Sequence, residues 1–147
     1  PFSASFSPVE TVQRLYAAFG RGDIPTLLAA LRPDVDWHVN VDPTAPGAAS
    51  VPTFRPCRGL DAVGGFFNAL VQSAEVHSFQ PLSIIGGDRE AAARIMIEFT
   101  ARPTGRRVKM EAMHHFQFDA EGKVARFVDF FDTLGEAAAM GVIRDAD

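Results

Sequence analysis

Between residues 76 and 131 the chain consists of stretches of alternating residues separated by short turns, and this limits the fold more than any other feature. Val76 to Ile85 reads as a strand that breaks at Gly86-Gly87-Asp88-Arg89. Ala91 to Ala101 follows and turns at Pro103-Thr104-Gly105-Arg106 into Arg107 to Phe118, and Asp119-Ala120-Glu121-Gly122 leads into a last strand from Val124 to about Phe131. Gly, Pro and Asp mark the breaks, and connections this short join antiparallel neighbours. The second half of the chain is therefore a four-stranded antiparallel meander.

The first half supplies helices to cover it. Ser7-Pro8-Val9-Glu10 puts a capping Ser before a Pro at the first helical position, with a Glu three residues on. Val9, Val12, Leu15, Tyr16 and Phe19 recur at helical spacing until Gly20. Asp23 can cap a second helix from Ile24 to Leu31, whose stripe is Leu27, Leu28 and Leu31. Asp34 to Val41 alternates as an amphipathic strand, with Val35, Trp37, Val39 and Val41 on one face and Asp36, His38 and Asn40 on the other. Residues 42–58, rich in Pro, form a long loop suited to the rim or lid of a cavity. Gly59 to about Ala74 is a third helix with Val63, Phe66, Phe67, Leu70 and Val71 as its buried stripe. Residues 133–143 form at most a short helix, and the last few residues are expected to fray. Helices segregated to one face of an antiparallel or mixed sheet give an α+β layer architecture, and 147 residues suit one domain, 1–147.

Composition narrows the function classes. Hydrophobic residues make up 47%, and 13 Phe against one Tyr and one Trp make the aromatic content almost purely oily, which a core, a cavity lining or a subunit interface must house. A net charge of -4 provides no cationic footprint for nucleic acid. The single Cys57 cannot form an internal disulfide, so a reducing, cytoplasmic setting is expected, and it has no evident activating partner for a catalytic thiol. Pro1 to Phe6 contains neither a basic region nor a long apolar run, so neither a signal peptide nor a membrane span is read there.

Several stretches resemble one family. They are Thr11-Val12-Gln13-Arg14-Leu15-Tyr16-Ala17-Ala18-Phe19 with Gly22-Asp23, then Pro33-Asp34-Val35-Asp36-Trp37-His38, and Arg58-Gly59 leading to Phe66-Phe67. His115-Phe116-Gln117-Phe118, Gly122-Lys123-Val124 and Phe127-Val128-Asp129-Phe130-Phe131-Asp132 complete the set. In this order and spacing, over about residues 9–133, the chain resembles the SnoaL-like superfamily, which includes ketosteroid isomerases, limonene-epoxide-hydrolase-like enzymes and nuclear transport factor two. The resemblance implies a strongly curved sheet wrapped over the N-terminal helices into a cone around a central apolar pocket, usually in homodimers that pack sheet on sheet.

Within that frame His114 and Asp129 are the candidate catalytic pair. His114 shares the apolar row of its strand with Val108, Met110, Ala112, Phe116 and Phe118, while Asp129 shares a row with Ala125, Phe127 and Phe131. A carboxylate among aromatics is suited to proton transfer near neutral pH, and His114 could orient it, donate to a substrate oxygen or share its proton. The alternative is a buried polar pair that merely satisfies itself. Tyr16, Trp37, Val39, Arg94, Met110, Phe127 and Phe131 are the candidate pocket residues, with Trp37 and Phe127 expected in the cavity wall and His38 at the surface. His114 and His115, as strand neighbours, point to opposite faces and cannot both ligate one metal ion.

The resemblance also shows what is changed. The ketosteroid-isomerase tyrosine falls on Leu15, with Tyr16 one residue away and turned from it; the base falls on Val39 and the acid on His114. Of the epoxide-hydrolase set one aspartate falls on Asp129, Arg94 is the plausible arginine, and the other aspartate falls on Met96. Alternation puts Ile95, Ile97 and Phe99 on the oilier row and Arg94 outside, whereas a bulge would bring Arg94 into the pocket. The single-aspartate chemistry of SnoaL-type polyketide cyclases, which needs neither metal nor organic cofactor, is matched by Asp129, with His114 or Tyr16 as donors to an enolate. The expectation is an isomerase, cyclase or hydrolase acting on a small apolar carbonyl or epoxide compound. A non-catalytic binder of an apolar ligand and a dimeric scaffold are the alternatives.

Overall fold

The computed structural model describes residues 6–143. The readings of the first five residues and of a fraying C-terminus lie mostly outside that range. Helix α1 spans Pro8–Gly20, and its Ser7 cap accepts from Glu10 N at 3.2 Å, as the Ser-Pro start demands. Ser7→Ala should cost about 1 kcal/mol, read as a lowered midpoint in chemical unfolding. Asp23 caps α2, Ile24–Ala29, through Thr26 N.

Helix α2 stops short of the expected Leu31, because Leu31 opens strand β1, Leu31–Val39, and pairs with Val124. The residue before a proline avoids helical geometry, so Arg32-Pro33 favours the extended form over another helical turn. Val41 lies beyond the strand and packs beside a satellite core. The loop 42–58 is not structureless: it has short 3-10 turns at Ala48–Ser50 and Pro52–Phe54 and a strand β2, Cys57–Arg58, antiparallel to β1. Helix α3, Leu60–Ser73, follows Gly59, whose φ of 89° and ψ of 168° suit a residue without a Cβ. Val63 and Phe67 of α3 are buried, but Val71, assigned from its spacing to the buried stripe, is exposed.

Strands β3 (Ala74–Gly86), β4 (Glu90–Ala101), β5 (Arg106–Phe118) and β6 (Val124–Phe130) form the expected meander, and α4, Thr133–Ala139, follows. The sheet order is β2-β1-β6-β5-β4-β3. All pairs are antiparallel except β1 with β6, so the sheet is mixed. Register shifts at Val76/Ser78 and Pro81/Ser83 on β3 and at Gln117/Phe118 on β5 interrupt the ladders, and such irregularities bend and twist a sheet. The result is a curved sheet wrapped around the N-terminal helices in a cone-like α+β arrangement.

The main core joins Val12, Leu15 and Ala18 of α1 to Ile95, Phe116 and Phe127 of the sheet. A satellite cluster of Val39, Ala48, Val51, Phe54 and Ala137 binds the loop and α4 to the end of β1. No helix among the described residues is long and apolar enough to cross a membrane.

Candidate active site

The inward faces of the sheet and helices enclose a cavity of about 120 Å³. This is on the scale of the roughly 150 Å³ apolar cavity that admits benzene. Its walls are mostly aromatic and aliphatic; Trp37 stacks on Phe127 with centroids 4.0 Å apart and meets Phe66 and Phe67 edge-on. Val39, Met110 and Phe131 also line it.

Antiparallel pairing puts His114 directly opposite Asp129, on the same inward face of β5 and β6. His114 Nε2 lies 3.3 Å from Asp129 Oδ1, but the geometry is not that of a hydrogen bond and Oδ1 has no hydrogen-bond partner. On its other side His114 Nδ1 lies 2.8 Å from the Tyr16 hydroxyl. Tyr16 is therefore not turned away. One turn of α1 is wide enough to present both Leu15 and Tyr16 to the cavity. Burial, reinforced by the Asp129 charge, pushes the Tyr16 hydroxyl far above the ordinary phenol range, so it stays protonated. In the tautomer where Nδ1 accepts that proton, Nε2 carries the ring hydrogen toward Asp129.

Arg94 is not in the pocket. The pairing of β4 with β5 is unbroken around it, so alternation holds, and its Nε donates to Glu111 Oε1 at 2.9 Å on the outer face. His115 likewise points outward, 2.8 Å from Glu90. His38 lies with Asp36 on the polar row, at 3.2 Å. Cys57 is buried, and desolvation raises its thiol pKa.

Two polar lining residues escaped the sequence reading. Glu136 of α4 turns its carboxyl inward beside Thr53 of the loop. Glu136 keeps part of its surface in solvent, yet its Oε2 is buried and has no hydrogen-bond partner. Burial first, then the Asp129 charge, push its carboxyl up to about 7 against the lowering effect of the Thr53 hydroxyl. The spacing Thr133-x-x-Glu136 is that of a capping box, in which the Glu would reach back to the helix start. Asp132 fills the cap instead, accepting from Gly135 N at 2.8 Å, and leaves Glu136 free to face the cavity.

Among the described residues, the buried side-chain polar atoms without a hydrogen-bond partner are Trp37 Nε1, Asp129 Oδ1 and Glu136 Oε2, and all three residues line this one cavity. An unpaired buried polar group costs about 1–3 kcal/mol. Three around one apolar space make a donor and two carboxyl oxygens available to a ligand.

A family model described as a SnoaL-like domain matches residues 12–127. No curated protein matches the chain. Among solved structures, an NTF2-like protein of unknown function from Burkholderia pseudomallei is 27% identical, with a TM-score of 0.77 over 89% of this chain and 95% of its own. An NTF2-like protein from Burkholderia thailandensis is 26% identical, with a TM-score of 0.77 over 91% and 97%. TerC, crystallised with polyporic acid, is 20% identical and shares the fold with a TM-score of 0.74 over 91% and 98%.

Proposed function

Since the chain belongs to the SnoaL-like domain family, whose fold is associated in general with isomerase and cyclase activity, we propose that it is a cofactor-independent acid–base enzyme acting on a small, neutral, apolar carbonyl or epoxide compound. The observation that carries this reading is Asp129 Oδ1, buried in an apolar cavity without a hydrogen-bond partner and held beside His114.

For a ketone, Asp129 takes a proton from the carbon next to the carbonyl, and the C–H electron pair moves onto the oxygen as an enolate. Returning the proton to another carbon completes an isomerisation, and attack of the enolate on a second carbonyl carbon of the same molecule, with the proton passing from Asp129 to the new alkoxide, completes a cyclisation. The developing negative charge needs a donor. Trp37 Nε1 is buried and unpartnered on the same inward face, on the strand next to Asp129. Tyr16, bonded to His114, fixes the imidazole against the carboxylate.

The co-crystal of TerC with polyporic acid supports a pocket that takes a small organic molecule. On the outer face of the sheet Met113 and Phe130 pair across β5 and β6 and are both exposed, which supports a homodimer through the sheet. The test of the enzymatic reading is deuterium incorporation into cyclohexanone and 1-indanone in heavy water. Wild type should accelerate it and Asp129→Asn should not; equal rates with the two proteins would overturn the reading.

A further inference from the structure

Glu136 is the titratable group of the cavity that the reaction above leaves without a role. The others lining it are Tyr16 from α1, His114 from β5 and Asp129 from β6, and no Lys or Arg is among its lining residues. The remaining acid near the start of α4, Asp132, is occupied as the helix cap. Thr53, from the loop, is the polar but non-titrating neighbour.

Two carboxylates in one apolar space, with no Lys or Arg to offset them, repel each other and lose solvation together, which favours the form in which one of them keeps a proton. The structure indicates which. Asp129 Oδ1 lies 3.3 Å from His114 Nε2, a neighbour that Glu136 lacks. Glu136 meets Thr53 and otherwise leaves Oε2 unpaired. Its held position near 7 agrees with that assignment. The carboxyl is delivered by a packed helix: Ala137 and Ala139 of α4 and Met140 at its C-cap are buried, and Thr104 Oγ1 donates to Ala139 O.

We propose that Glu136 is a second proton-exchanging group of this site, sharing one proton with Asp129, so that the cavity takes neutral ligands bearing a carbonyl or hydroxyl oxygen and rejects carboxylates. The proposal rests on the reading of Asp129 as the base. As Asp129 takes the carbon-bound proton, the Glu136 O–H proton passes to the ligand oxygen, giving a neutral enol. The negative charge thereby moves from Asp129 to Glu136. When Glu136 takes the enol proton back, Asp129 returns its proton to carbon, and the pair carries one negative charge throughout.

Carboxyl carbon-13 NMR of the full chain against pH tests this without any substrate, in wild type, Glu136→Gln and Asp129→Asn. One carboxyl should titrate near 7 in wild type, be absent in Glu136→Gln, and fall by roughly half a pH unit or more in Asp129→Asn once the neighbouring charge is gone. Should Glu136→Gln not fold, glutamate-selective labelling of wild type shows whether the group is a glutamate, and Glu136 is the glutamate among the lining residues. Titration of Glu136 near the ordinary 4.5, or a midpoint that ignores Asp129→Asn, overturns the shared proton. That result alongside loss of deuterium exchange in Asp129→Asn would leave Asp129 as the base acting alone. Unchanged exchange in Asp129→Asn with the titration near 7 would instead remove the catalytic reading and keep the pair.

Discussion

Asp129→Asn should lower the rate of proton exchange from an enolisable ketone by about 10²–10⁴-fold, the usual contribution of a positioned general base. Asn keeps the size and the hydrogen-bonding shape of Asp but cannot take up a proton at neutral pH. The loss should fall on kcat and leave KM nearly unchanged, because the proton is transferred only in the transition state. A normal unfolding midpoint in the variant separates this effect from damage to the fold.

Glu136→Gln should stabilise the protein at about pH 8 and leave it nearly unchanged at about pH 4. The sign follows from the raised pKa. Below 4.5, the ordinary value, Glu136 is protonated in both the folded and the unfolded chain and costs nothing. Between 4.5 and about 7 the unfolded chain releases this proton while the folded chain retains it, so wild type loses stability as pH rises. Above about 7 the loss is complete, at up to about 3 kcal/mol. Gln does not titrate and avoids it. The gain at pH 8 should appear as a Tm higher by roughly 6–12 °C. A variant less stable than wild type at both pH values would show that the carboxyl serves packing rather than proton exchange.

The meander was legible because each strand pairs with its sequence neighbour, so alternation and turn residues determine strand, face and partner together. His114 and Asp129 could be placed on inward rows for that reason. The parallel partnership of β1 with β6 joins segments far apart in sequence, and no local pattern encodes it. Arg94 was open because one inserted residue reverses every side chain on a strand, and the unbroken β4–β5 ladder decides it. Tyr16 lines the cavity as expected of a pocket donor, but its expected turn away from the Leu15 position fails, because the breadth of a helix face presented to a cavity depends on how deeply the helix sits, which spacing does not give. Glu136 and Thr53 were invisible for a related reason. A lone Glu in an Ala-rich segment and a Thr in a Pro-rich loop acquire meaning only when the satellite core of Val51, Phe54 and Ala137 draws both segments together against the cavity.

The cavity contains the only Trp of the chain, Trp37, so its fluorescence reports occupancy without a label. The most direct measurement is titration of wild type with cyclohexanone, 1-indanone and cyclohexene oxide at neutral pH. Saturable quenching or a spectral shift of Trp37, displaced from one probe to the next by competition, is the result expected if this cavity receives small neutral carbonyl or epoxide compounds. A Trp37 signal that stays constant to millimolar concentrations of all three would contradict it.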